Sequence, residues 1–177
     1  MTVPDKPTQN NFLKDDLYDA LRWLFEGAIT WEAARRNTAC ALRHQSVLGM
    51  YASLVQARAL YEFFYKEGKD DDARAKHFAP AWKPQKTQIY QKYMGRLRPA
   101  NKRVFHLVYN RTIHAGGSGH DDLKNQVLEF AKDLRRVTEE FAQNASSDFR
   151  DGIQFALNRA LEEAKLAAKH YSIPNPL

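Results

Sequence analysis

The chain has 177 residues with 27 Lys and Arg against 21 Asp and Glu, a net charge of +6, and a single cysteine, Cys40. That length suits one domain with a sizeable core, and one cysteine excludes an intramolecular disulfide framework and fits a reducing cytosol. No apolar run approaches the roughly 18 residues that would span a bilayer, so a cytoplasmic protein without a membrane segment is expected.

Taken in chain order, residues 1–12 are polar, contain two prolines and lack an apolar signal region, and they read as a flexible N-terminal tail. Leu13, Leu17, Leu21, Leu24 and Phe25 then recur at helical spacing, with Gly27 as a stop or bend. Between Thr30 and Glu67 there is no proline. Val47, Tyr51, Leu54, Tyr61 and Phe64 form one stripe with Leu48, Val55 and Leu60 beside it, which predicts one long helix or two joined near His44 and Gln45.

Residues 68–85 combine a charge cluster with Pro80 and Pro84 and read as an ordered loop pinned by Phe78 and Trp82. Ile89, Tyr90, Tyr93, Met94 and Leu97 mark a third helix. Pro99 can open a fourth running to about Thr112, since its missing N–H costs nothing in a first turn. The glycine-rich run from His114 to His120 is a loop, with Asp121 or Asp122 placed to cap a fifth helix.

That fifth helix has the cleanest pattern in the chain. Leu123, Val127, Phe130, Leu134, Val137 and Phe141 are spaced in steps of four and three, a narrow seam for other helices. Ser147 or Asp148 can cap a last helix whose face is Phe149, Ile153, Ala156, Ala160, Leu161, Ala164 and Ala167. An irregular tail, 172–177, ends the sequence. The fold class expected is all-α, a single-domain bundle of about six helices over 13–171.

Charge is distributed unevenly along these elements. Between Arg74 and His120 there is no Asp or Glu, yet the window holds Arg74, Lys76, Lys83, Lys86, Lys92, Arg96, Arg98, Lys102, Arg103 and Arg111. The rest of the chain carries 17 basic against 21 acidic side chains, so the net positive charge is local. A field so concentrated favours an anionic partner, RNA or an acidic protein chain.

On a helical projection of the fourth helix, Val104, Leu107, Val108 and Thr112 fall on one side and Lys102, Arg103, His106 and Asn110 on the other. Asn101 falls on the apolar side as a cap or turn brace. The candidate anion or nucleic-acid site is therefore Arg98, Lys102, Arg103, His106, Tyr109, Asn110 and Arg111. His106, in a cationic arc that disfavours the imidazolium, is the candidate acid or base of an enzymatic alternative, with Lys102 beside it. Phe78, Trp82, Tyr90, Tyr93, Phe105 and Tyr109 interleave with the cations as stacking platforms for single-stranded nucleic acid would, and Trp82 and Tyr109 are the least clearly core.

Other chemistry has weaker footing. Asp70, Asp71 and Asp72 lack a second cluster at defined spacing, and His114, His120, Asp121 and Asp122 match no zinc signature, so no metal is expected. Neither GxxxxGK[ST] nor GxGxxG occurs, and no cofactor is expected. Serine-nucleophile motifs are absent.

The stretches from Ala57 to Tyr65 and from Asp70 to Phe78, with Trp82 and the segment from Asn101 to Arg111, resemble a group of small uncharacterised bacterial helical proteins. A looser likeness is to the HEPN superfamily, whose members include metal-independent ribonucleases and non-catalytic partners of nucleotidyltransferases. The resemblance implies a compact bundle with an up-and-down arrangement, and a homodimer through one of the helical seams is expected. The superfamily's ribonucleases carry an Arg and a His on one helix with four to six residues between them. For His106 the positions concerned hold Pro99, Ala100 and Asn101, and no other histidine here has an Arg at that distance. The sequence thus favours a non-catalytic binding module with its basic surface over residues 74–120. A ribonuclease with an atypical site at a dimer cleft and an antitoxin-like component that pairs with an acidic chain are the alternatives.

Overall fold

In the structure, a computed structural model, residues 5–36, 43–66, 73–97, 123–174 and 176–177 are described. Every regular element among them is helical. The α-helices are α1 (Lys6–Phe12), α2 (Tyr18–Arg36), α3 (Arg43–Tyr65), α4 (Gln88–Leu97), α5 (Val127–Asn144) and α6 (Ser147–His170), and no strand occurs among the described residues. The all-α bundle expected from the apolar periodicity is the observed architecture. None of the described helices is long and apolar enough to cross a membrane.

The expected flexible tail, 1–12, gives way to helix from Lys6 onward. Asp5 accepts a hydrogen bond from the Thr8 N–H at 3.0 Å and a proline occupies the first turn, so the start is set by capping rather than by an apolar period. Phe12 then stacks on Phe78 with ring centroids 5.6 Å apart, which anchors α1 to the core. A short π-helical stretch, Leu13–Leu17, joins α1 to α2.

Gly27 does not stop α2, which runs through it to Arg36. It serves instead as a crossing point. A Cβ at Gly27 would lie 2.3 Å from the carbonyl oxygen of Gly49 and 2.7 Å from Ser53 Oγ, so α2 and α3 meet there backbone to backbone. Ser53 Oγ donates to the Leu24 carbonyl at 2.6 Å beside the contact.

This crossing fixes the rotation of α3. Ser46, Gly49, Ser53 and Ala57 form its small-residue side, and the core positions become Met50, Leu54, Ala57, Leu60, Tyr61, Phe63 and Phe64. Val47 and Leu48, expected in or beside the buried stripe, are exposed. An apolar count alone could not find that rotation, because glycine and serine carry it.

The seam helix is where expectation and structure agree best. Leu123, Val127, Phe130, Leu134, Val137 and Phe141 are all buried. Phe141 sits among Phe63, Phe64, Phe78 and Trp82, with centroid distances from 5.3 to 6.3 Å, in edge or tilted geometries that ring quadrupoles favour.

In α6 the buried face is Phe149, Ile153, Ala156, Leu157, Ala160, Ala164 and Ala168, while Leu161 and Ala167 are half-buried at its edge. Its N-cap position is Ser146, without a side-chain cap bond, in place of the expected Ser147 or Asp148. Leu13 faces Gly152 near the start of α6 and Tyr18 bonds Glu163 further along, so α2 and α6 run in the same direction.

Candidate nucleic-acid interface

Residues 73–97 contain the described part of the acid-free window. Within it Lys76, Lys83, Lys86, Lys92 and Arg96 are exposed, and Arg74 is buried. Helix α4 buries Tyr93, Met94 and Leu97 and turns Gln88, Gln91, Lys92, Gly95 and Arg96 outward. Lys92 Nζ lies 4.9 Å and Arg96 Cζ 5.8 Å from the centre of the Tyr93 ring, and Lys86 Nζ lies 5.8 Å from that of Tyr90. The ring quadrupoles attract cations placed near them in this way.

The loop that carries Lys83 and Lys86 is held at both ends by one helix. Trp82 Nε1 donates to Glu140 at 2.9 Å, and Thr87 Oγ1 donates to Asp133 at 2.6 Å. These two carboxylates stand seven residues apart on α5, or about 10 Å along its axis. Lys83, Pro84, Gln85 and Lys86 therefore span the gap between two anchors, with both lysines outward. Thr87 Oγ1 also accepts the Tyr90 N–H at 3.1 Å, so the residue that ties the loop to α5 also caps α4.

Asp133 is the centre of this arrangement. Besides Thr87 it accepts Tyr61 Oη at 2.7 Å and Arg136 at 3.1 Å, three donors for a buried carboxylate. Burial, and then the Asp133 charge, pushes the Tyr61 phenol far above its ordinary range. Tyr65 is pushed up to about 12 by burial and the same carboxylate. Its hydroxyl is buried without a hydrogen-bond partner among the described residues.

Tyr65→Phe is therefore expected to be neutral or stabilising by up to about 1 kcal/mol at neutral pH, because it removes a desolvated polar group. Between pH of about 10 and 12 the unfolded phenol has lost its proton and the folded one keeps it, so stability falls as pH rises. The variant should lose less over that interval. Urea unfolding of both proteins at neutral and alkaline pH checks the two statements.

Arg98, Lys102, Arg103, His106, Tyr109, Asn110 and Arg111 lie outside the described residues, as do Cys40, Asp70, Asp71, Asp72, His114, His120, Asp121 and Asp122. Among the described residues no group of three His, Cys, Asp or Glu could hold a metal ion. Four of the six candidate stacking rings can be placed. Phe78, Trp82 and Tyr93 are buried and Tyr90 is half-buried among Tyr61 and Tyr65. Trp82, with Tyr109 one of the two rings expected to be least clearly core, is buried with its indole N–H engaged by Glu140, and with Phe78 it pins the loop as expected. These rings brace the basic face from below.

Asp133, Glu140 and Thr87 were not among the residues picked out from sequence. The signal available for Asp133 was a carboxylate flanking the apolar arc of the cleanest seam in the chain, beside Leu134 and four residues before Val137. Comparison of the chain with protein-family models, with curated proteins and with solved structures found no match.

Proposed function

We propose that this protein is a cytoplasmic, non-catalytic helical binding module whose basic face binds RNA through its phosphate backbone. The observation that carries the reading is the set of five exposed cations, Lys76, Lys83, Lys86, Lys92 and Arg96, on a clamped loop and on α4, in a stretch with no acidic residue. Lys and Arg placed in this way neutralise phosphates without reading bases, so affinity is general in sequence. The candidate residues Arg98, Lys102, Arg103, His106, Tyr109, Asn110 and Arg111 come after α4 in the chain and extend the same basic stretch. A homodimer is part of the proposal. Its support is the outward face of α6, where Phe155 and Leu166, eleven residues apart, share one side and are both more than half exposed.

The test is fluorescence anisotropy of a labelled oligouridylate with the wild type and with Lys83→Glu/Lys86→Glu. The variant should bind at least about tenfold more weakly, a loss of about 1.4 kcal/mol or more. Equal binding by both proteins would overturn the reading. Shortening of the RNA during the titration would favour the ribonuclease alternative with His106 and Lys102. Absence of RNA binding together with capture of polyglutamate would favour an acidic protein partner.

A further inference from the structure

A second feature lies where α6 ends. Ser172 takes a left-handed conformation, φ 55°, its N–H bonding the Lys169 carbonyl at 3.2 Å while the Ile173 N–H bonds that of Ala168 at 2.9 Å. This is a Schellman turn, and it sends the chain back against the helix it has just left. The returning segment, α6, Ile29 of α2 and Arg135 of α5 border a cleft of about 370 Å³ whose apolar walls include Ile29, Leu161, Ile173 and Leu177. That volume is in the range of small-molecule sites.

Among the described residues the lining is of two kinds. Its apolar part is aliphatic, without an aromatic ring, and its polar side chains are three cations, Arg135, Lys165 and Lys169. No Asp or Glu side chain lines the cleft among the described residues. Glu139 holds Arg135 at 2.8 Å and Glu162 holds Lys165 at 2.7 Å from outside the lining, and Lys169 has no such ion pair among the described residues. Among the described lining residues there is no neutral hydrogen-bonding side chain for a hydroxyl-rich or heteroaromatic ligand. A flexible alkyl chain with one anionic end would meet aliphatic walls along its length and a cation at its head.

We propose that the cleft binds an amphiphilic carboxylate of the fatty-acid class, with its tail between Ile29, Leu161, Ile173 and Leu177 and its carboxylate at Lys169. This site is separate from the basic face, and its test does not depend on RNA. The full chain is titrated calorimetrically with decanoate below its micellar concentration, with decanol and decyltrimethylammonium as uncharged and cationic counterparts. One saturable site is expected for decanoate, with decanol at least about tenfold weaker and the cation weaker still. Lys169→Glu, a change at an exposed position, should weaken decanoate by about tenfold or more and leave decanol unchanged. Leu161→Trp, which fills the cleft from a half-buried position, should abolish both while the far-ultraviolet dichroism and the unfolding midpoint of the same preparation stay close to those of the wild type. Equal affinity for decanoate and decyltrimethylammonium, non-saturable uptake, or decanoate binding unchanged in Lys169→Glu would each overturn the proposal.

Discussion

Asp133→Ala is expected to lower stability by about 2–4 kcal/mol, because hydrogen bonds to a charged acceptor contribute about 1.5–3 kcal/mol and a buried group left unpaired costs about 1–3. Two of the three donors to this carboxylate, Tyr61 and Thr87, come from α3 and from the start of α4, so the change also loosens the tie between those elements and α5. Asp133→Asn keeps one acceptor oxygen and the shape, and should cost about half as much. Adding Tyr61→Phe to Asp133→Ala should restore part of the loss, since the stranded hydroxyl is then absent. Urea denaturation of the four proteins measures all three statements. A loss below about 0.5 kcal/mol for Asp133→Ala would place the site among ordinary surface positions.

Gly27→Ala should cost about 2–3 kcal/mol even though alanine is the better helix former by about 1 kcal/mol. The added methyl would stand 2.3 Å from a backbone oxygen of Gly49, which cannot rotate away, so α2 and α3 must separate along their contact. Gly95→Ala provides the opposite case within the same molecule. Nothing lies within 4 Å of a Cβ at Gly95, on the exposed side of α4, and the substitution should stabilise by up to about 1 kcal/mol. Thermal or urea unfolding of the two variants should therefore move in opposite directions. Matching shifts would remove the close crossing from the account.

The legible part of this fold was its apolar periodicity. The seam from Leu123 to Phe141 was readable because its six patterned positions all carry large aliphatic or aromatic side chains and are all buried, so the 3.6-residue period stands out. α1 was hidden because Asp5 and a first-turn proline define it, in a stretch with no apolar period until Phe12. The rotation of α3 was hidden for a related reason, since Gly49 and Ser53 decide it and neither registers in a count of large apolar side chains.

The candidate site was legible as charge and not as architecture. The absence of acids among the cations could be read directly from the sequence. That α5 supplies two carboxylates, Asp133 and Glu140, to hold Thr87 and Trp82 requires contacts between residues 46 and 58 positions apart, which no local pattern encodes. The same distance in sequence explains why Trp82 read as one of the two least clearly core rings. Its partner lies on a helix that begins far downstream.

The central claim is that a clamped loop and α4 present cations to a phosphate backbone, and a salt titration of single-stranded RNA binding tests it most directly. Phosphate neutralisation releases counterions, so the logarithm of affinity should fall linearly with the logarithm of salt concentration, with a slope of about 0.7 per phosphate contacted. For Lys83→Ala/Lys86→Ala the account predicts weaker binding to all sequences alike and a slope reduced by about one to two units. No binding by the wild type at low salt, where nonspecific attraction is strongest, or an unchanged slope in the double variant, would contradict it.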